Sequence, residues 1–303
     1  MQTILGSLLL EHPVMVAAGM CKTRNHASEA TQSLASAIVV GSYTPEERTG
    51  NEGNVYYEHW ENSTLLYTLN SLGLPNGGQA ALERDVSYMV TCTHESGKKL
   101  FVSVVGFSPK EYGEMARAAA CFGADGIEIN CGCPNVWAHG EQEEIVSYAP
   151  RSLVNVLYAV EAKLGNLTIP WWVKLSPFSK ISDLKIAAGI IAQSKAHGVT
   201  ATNTLGNSLF LRPDGTSVIT PNRGLAGLAG PALKPIALAN VRELRNLLPD
   251  SFFVIGCGGI MNGQDVLDYL HAGATAVQVG SAYASRGNNG VNNIIVSYLE
   301  LIS

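Results

Sequence analysis

Eight short, almost uninterrupted apolar runs, most of them followed by a segment of helical period, constrain this chain more than any other feature. They are residues 14–19 (VMVAAG), 37–42 (AIVVGS), 100–106 (LFVSVVG), 126–131 (GIEINC), 171–175 (WWVKL), 199–204 (VTATNT), 252–256 (FFVIG) and 276–281 (AVQVGS). A sheet with one wet face alternates apolar and polar residues. Runs this continuous suit parallel strands covered on both faces. A hydrophobic fraction of 46% with only 15% charged residues agrees with so large a core. The 303 residues leave room for two domains. Eight strand–helix units in series instead predict one α/β domain over 1–303, a (β/α)8 TIM barrel. A doubly wound open sheet is the alternative.

Several helix starts are written in the sequence. Ser108-Pro109-Lys110-Glu111 carries the serine, the first-turn proline and the glutamate of a capping box, and the helix it opens ends at Gly123. Asn262 and Asp265 predict a second capped start. Further helices are expected over 150–164, 181–197 and 231–248. Residues 43–75 and 205–230 are long and rich in Gly, Asn and Pro, which predicts loops that cover the barrel mouth or stay flexible.

Composition excludes several classes of function. The net charge is −5 and the 20 Lys and Arg are scattered, so no basic stripe points to nucleic acid. The start MQTILGSLLLEHP has no cation before its apolar run, and no window reaches 18 uncharged apolar residues. Neither a secretory signal nor a membrane span is expected. Six cysteines without a framework pattern suit a reducing, cytoplasmic setting.

In a barrel, chemistry gathers where strands end and βα loops begin. There the sequence places Gly19, Ser42, Asn130, Asn135, Lys174, Asn203 and Thr204, with a further cluster at 70–76 (NSLGLPN). After the seventh and eighth runs come Cys257, Gly258 and Gly259, then Gly280 and Ser281. Glycines there let backbone N–H groups approach an anion, and a helix starting near Asn262 adds its dipole, so a phosphate site is expected. Tight turns alone are the alternative. Lys174, closing an apolar strand, is expected to contact a cofactor rather than to reach solvent.

The stretch EINCGCPN (128–135) carries the sharpest question. Cys131 and Cys133 are too closely spaced for the usual zinc pair and lack matching ligands, so no metal is expected. If the strand extended that far, alternation would turn both thiols to one side. Asparagines offer donors and acceptors that match a planar ligand of alternating C=O and N–H groups. A cysteine among them serves as a general base once it loses its proton. An inert buried thiol is the alternative.

Together with AAG (17–19), VKLSP (173–177), NTLGNSLF (203–210), LAGLAGPALKPIALANVR (225–242), IGCGG (255–259) and AGATAVQVGSA (272–282), these motifs resemble the class 1 dihydroorotate dehydrogenases, most closely subclass 1A. The resemblance implies an FMN-binding barrel with an N-terminal β-hairpin and long βα loops over its C-terminal face. It implies oxidation of dihydroorotate to orotate, a step of pyrimidine biosynthesis, with Cys133 as base, hydride transfer to flavin N5 and fumarate as acceptor. Asn70, Asn130, Asn135, Asn203 and Thr204 would hold the substrate, beside the backbone of Leu72, Gly73 and Leu74. Ala17, Ala18, Gly19, Ser42, Asn130, Lys174 and Asn203 would flank the flavin. Gly230, Cys257, Gly258, Gly259, Gly280 and Ser281 would enclose its ribityl phosphate. A homodimer is implied as well.

The sequence departs from that pattern at Gly41, where the family carries a lysine before Ser42. Lys22, in GMCKT after the first run, is a candidate to supply the missing charge. The loop after Cys133 also differs: Trp137, His139, Glu141, Glu143 and Glu144 predict a larger, more acidic lid, which would disfavour an anionic substrate if it faced the site. Two enzymatic readings follow, a dihydroorotate dehydrogenase with a compensated lysine loss and a relative acting on a different cyclic amide or enone. A flavin-binding relic is a third, weakened by the joint presence of Cys133 and four asparagines.

Overall fold

The computed structural model describes residues 2–138 and 140–303. Eight parallel strands close into a barrel in chain order: β1 (Val14–Cys21), β2 (Ala37–Tyr43), β3 (Lys99–Val104), β4 (Gly126–Asn130), β5 (Trp171–Leu175), β6 (Gly198–Ala201), β7 (Phe253–Cys257) and β8 (Ala276–Val279). β8 pairs back onto β1, which rules out the open sheet. Around the barrel run α1 (Arg24–Thr31), α2 (Gly78–Glu95), α3 (Pro109–Cys121), α4 (Pro150–Leu164), α5 (Ile181–Ala192), α6 (Lys234–Leu247), α7 (Gly263–His271) and α8 (Ser281–Ile302).

The uninterrupted apolar runs are explained by two cores. One set of alternate residues, including Val16, Ile38, Val102, Ile129 and Val173, packs outward under the helices. The other set, Met15, Val39, Phe101, Trp172 and Ile255, fills the barrel. Trp172 lies edge-on between Phe101 and Phe253, at centroid distances of 5.1 and 5.7 Å. The N-terminal hairpin, Thr3–Leu5 against Leu8–Leu10, adds Leu5 and Leu10 to that inner cluster and plugs one end.

Helix starts follow local chemistry. Asn262 and Asp265 form both halves of a capping box on α7. Ser108 caps α3, but the Glu111 carboxylate accepts from the Phe107 N–H at 2.7 Å, one residue earlier than a capping box requires. The helix expected over 181–197 stops at Ala192, and that expected over 231–248 divides into a 3-10 turn, Pro231–Leu233, and α6. Pro235 cannot donate to the turn behind it, which accounts for the division.

The long segments 43–75 and 205–230 are not simple loops. They build a four-stranded antiparallel sheet in the order Leu205–Ser208, Ala226–Ala229, Thr64–Asn70, Tyr56–Glu61. Asn62 and Ser63 both take left-handed backbone, with φ 45° and 62°. Two such residues give a hairpin the turn that matches strand twist. Among the described residues, no helix is long and apolar enough to cross a membrane.

Candidate active site

A cavity of about 1100 Å³, its open mouth included, occupies the C-terminal end of the barrel beneath the four-stranded sheet. β1 brings Ala17, Ala18 and Gly19 to its wall, and β2 brings Ser42. Asn70, Leu72, Gly73 and Leu74 enter from the covering sheet and the loop after it. β4 and its loop bring Asn130, Cys133 and Asn135, β5 brings Lys174, and the segment after β6 brings Asn203 and Thr204. Gly230, Cys257, Gly258, Gly259, Gly280 and Ser281 complete the far end.

The asparagines form two short hydrogen-bonded chains. Asn135 Nδ2 donates to Asn70 Oδ1 at 2.7 Å, and Asn70 Nδ2 to the Gly227 carbonyl at 3.3 Å. Asn203 Nδ2 donates to Asn130 Oδ1 at 3.1 Å, and Asn130 Nδ2 to Ser42 Oγ at 3.0 Å. Such mutual bonds fix the amide planes while leaving further donors and acceptors to a ligand. Leu74 has φ 59°, a conformation that side chains other than glycine seldom adopt. With Gly73 at φ 71° it curves the backbone around the cavity.

β4 ends at Asn130, so strand alternation never reaches the cysteines. Contrary to the expectation of a shared side, Cys131 is buried in the outer core and Cys133 alone lines the cavity. Burial pushes the Cys133 thiol above its ordinary range. The Asn135 backbone N–H and the Lys22, Arg48 and Lys174 cations oppose that shift without cancelling it.

Lys174 does not stand alone. Its Nζ lies 3.4 Å from Glu128 Oε1 and donates to Gln278 Oε1 at 3.1 Å. Glu128 is fully buried, and its Oε2 accepts from Trp172 Nε1, Thr200 Oγ1 and Gln278 Nε2 at 3.2, 2.9 and 2.7 Å. Burial works against the Lys174 ammonium most strongly, but the Glu128 carboxylate and the Cys257 and Cys133 sulfurs together more than offset it, so Lys174 titrates above the ordinary lysine value. Sequence reading passed over Glu128 and Gln278. The usable signal was Glu128 itself, a charge inside an apolar run on the strand beside that of Lys174.

At the far end α8 begins at Gly280 with no side-chain cap. The helix near Asn262 is less open to an anion than expected, because Asn262 Oδ1 accepts from the Asp265 N–H, Ser297 Oγ from the Gly263 N–H, and the Asp265 carboxylate from the Met261 and Asn262 N–H groups just ahead of the helix. A Cβ at Gly19 would meet nothing within 4 Å, and one at Gly280 only Ala17 Cβ at 3.7 Å, so both glycines leave the cavity open. Thr202 and Thr204 line the cavity with buried hydroxyls that have no partner. Open glycines, uncapped helix N–H groups, orphaned hydroxyls and fixed amides fit a long planar group with an anionic end, as FMN is. Tyr56 and Thr68, also on the wall, were not foreseen, because they arrive with the covering sheet.

The lid is a short ribbon, Trp137–Ala138 against Glu141–Gln142. Arg223 stacks over the Trp137 ring at 5.1 Å. Glu141, Glu143 and Glu144 are exposed and none lines the main cavity, but Glu143 and Glu144 border a second cavity that also reaches Asn130 and Cys133. His139 lies outside the described residues.

The family model described as dihydroorotate dehydrogenase matches residues 1–301. The dihydroorotate dehydrogenase (fumarate) of Lachancea kluyveri is 33% identical over 281 residues, 91% of this chain and 85% of the yeast protein. Dihydroorotate dehydrogenase A (fumarate) of Lactococcus lactis subsp. cremoris is 31% identical over 309 residues, covering 100% of this chain and 94% of the bacterial one. A crystal structure of DHODH in complex with ferulenol from Eimeria tenella superposes with a TM-score of 0.81 at 18% identity. That match covers 99% of this chain and 84% of the other, and at such identity it speaks to the fold alone.

Proposed function

The chain belongs to the dihydroorotate dehydrogenase family, and on that premise we propose that it oxidises dihydroorotate to orotate with FMN as cofactor and fumarate as electron acceptor. One observation carries the reading: a single cavity joins Cys133 and four asparagines to an uncapped helix start framed by open glycines. FMN held there would supply the two-electron acceptor. Ala17, Ala18, Gly19, Ser42 and Lys174 would flank its ring. Gly230, Cys257, Gly258, Gly259, Gly280 and Ser281 would take its ribityl phosphate.

The protein's own part is to hold the pyrimidine and move one proton. Asn70, Asn130, Asn135, Asn203 and Thr204 offer the donors and acceptors that a cyclic imide needs, with the Leu72–Leu74 backbone closing one side. Cys133, as thiolate, takes the proton from one ring carbon while the neighbouring carbon gives up its hydride, leaving the ring double bond of orotate. Because burial favours the neutral thiol, the nearby cations and the Asn135 N–H are what make the thiolate attainable. The reading carries with it a cytosolic homodimer, which sedimentation of the purified protein would test.

A second reading has an observation in its favour. Gly41 has φ 100°, and a Cβ there would stand 2.5 Å from the Ser103 carbonyl oxygen. This backbone therefore excludes any side chain where the family pattern has a lysine, which suits a different, neutral cyclic amide or enone. The deciding experiment mixes flavin-loaded protein anaerobically with dihydroorotate. Bleaching of the flavin absorbance supports the first reading. An oxidised flavin with dihydroorotate, bleached instead by a neutral dihydropyrimidine, supports the second.

A further inference from the structure

No carboxylate lines the main cavity, and two lysines do. One of them, Lys174, is matched by Glu128 just behind the wall. The other, Lys22, makes no ion pair and no side-chain hydrogen bond among the described residues. Its backbone is held firmly. The Lys22 carbonyl accepts from Tyr43 Oη at 3.3 Å, and its N–H donates to His26 Nδ1 at 3.4 Å. Thr23, the next residue, caps α1. The cavity therefore keeps one positive charge with no counterpart among the described residues.

Lys22 is half-buried, and a cation partly withdrawn from water without a partner is unfavourable until a ligand supplies the opposite charge. The position of Lys22 says which part of a ligand that is. Among the charged groups acting on the Cys133 thiol, Lys22 is the strongest. In return, the Cys133 sulfur, once ionised, favours the Lys22 ammonium. Cys21, the residue before Lys22, lies opposite Val40 on β2, so Lys22 stands beside the end of β2. There Ser42 is bonded to Asn130 at the start of the Cys133 loop. Lys22 thus belongs to the thiol end of the cavity and not to the glycine-framed end where α8 begins. Gly41 cannot offer a cation in its stead, since its backbone excludes a side chain.

We propose that Lys22 is the specificity-determining cation of the cavity, and that it anchors the carboxylate of an anionic ring substrate beside Cys133. This deepens the dihydroorotate reading and rests on it for the identity of the ring. It also reconciles that reading with Gly41: the positive charge has moved from the end of β2 to the loop after β1.

The test uses the flavin-loaded protein, with binding followed by perturbation of the flavin spectrum. The ligands are orotate and uracil, which share a ring and differ by the carboxylate. Lys22→Met should weaken orotate binding about 10- to 100-fold, the range of one charge-assisted contact. Uracil binding should change by less than about twofold, because no charge is lost to it. Lys22→Arg should keep most of the orotate affinity. A merely structural role would weaken both ligands together, and that result overturns the proposal. So does orotate binding that is unchanged in Lys22→Met, or a wild-type protein that prefers uracil. Retained flavin colour in each variant shows that it is folded. If dihydroorotate bleaches the wild type and Lys22→Met alike, with equal affinities, the anchor fails and the oxidation reading stands. If orotate binding depends on Lys22 but dihydroorotate leaves the flavin oxidised, the anchor stands and the oxidation reading fails.

Discussion

Lys174 and Lys22 face the same cavity, and the protein treats them in opposite ways. Lys174 stands on β5, 5% exposed, inside a ring formed by Glu128, Thr200 and Gln278 from three other strands. Lys22 stands on the loop after β1 with nothing to neutralise it. Their titration follows. Lys174 is raised above the ordinary lysine value because Glu128 and the Cys257 and Cys133 sulfurs together outweigh burial. Lys22 is lowered because burial outweighs the Cys133 sulfur. A buried charge with its partner in place is part of the scaffold, and it presents a fixed donor to whatever lies above it. A shielded charge without a partner is incomplete until something binds.

The largest effect is expected at the thiol that Lys22 faces. Cys133→Ser should slow flavin reduction by dihydroorotate by about 10²- to 10⁴-fold, the usual contribution of a positioned base. Flavin should stay bound, since the amide and glycine ends are untouched. Stopped-flow absorbance under anaerobic conditions measures both. An unchanged rate would move the base elsewhere and remove the reason to pair Lys22 with Cys133.

Next comes the partner of the other lysine. Glu128→Ala leaves a buried ammonium uncompensated and should cost about 3–5 kcal/mol of folding stability, read by urea unfolding. Lys22→Met removes a cation that has no partner to lose, so its stability should stay within about 1 kcal/mol of wild type or rise. Equal losses would break the contrast. The pH dependence sharpens it. In the wild type Lys174 titrates above its unfolded value of 10.5, so its stabilisation is complete below that pH and fades as pH rises through the folded pKa. In Glu128→Ala burial alone acts and depresses the folded pKa, so the deficit should shrink as pH rises toward the unfolded value.

A smaller, graded effect is expected from the Cys133 thiol itself. Its pKa stands above the ordinary 9.0, so little thiolate exists at neutral pH. The rate of flavin reduction should climb about tenfold per pH unit and reach no plateau below pH 9.0. Lys22→Met removes one of the cations that favour the thiolate and should move the plateau higher still. A plateau at neutral pH would mean that bound groups lower the thiol far more than the protein alone does.

The barrel was legible because burial on both faces leaves a simple trace, uninterrupted apolar runs such as AIVVGS and WWVKL. Asn262 and Asp265 were legible because capping is local. The covering sheet was not. Tyr56–Glu61 reads YYEHWE, half polar and aromatic, and its hairpin turns on Asn62-Ser63 without the glycine that usually marks such a turn. The cavity wall was readable wherever a motif sits at a strand end. The Lys174–Glu128–Gln278 set was not, because its members stand 46, 104 and 150 residues apart and meet only through barrel closure: β4 and β5 pair with Lys174 opposite Asn130 and Trp172 opposite Glu128. The facing of the lid was not legible either, since composition gives the charge of Glu141, Glu143 and Glu144 but not the side on which the ribbon presents each of them.

The smallest expected effect separates the two helix starts beside the glycine-framed end. α7 has Asn262 and Ser297 accepting from N–H groups of its first turn, while α8 starts after Gly280 with no side chain doing so. If the uncapped start is kept for an anion, the two ends should answer differently to mutation. Asn262→Ala should cost about 1 kcal/mol of stability, the usual worth of a lost N-cap, and change FMN affinity by less than about twofold. Urea unfolding gives the first number and titration of apoprotein with FMN the second. A flavin affinity that falls in step with stability would mean that the phosphate leans on α7 after all, and the contrast between the two helices would carry no information about the ligand.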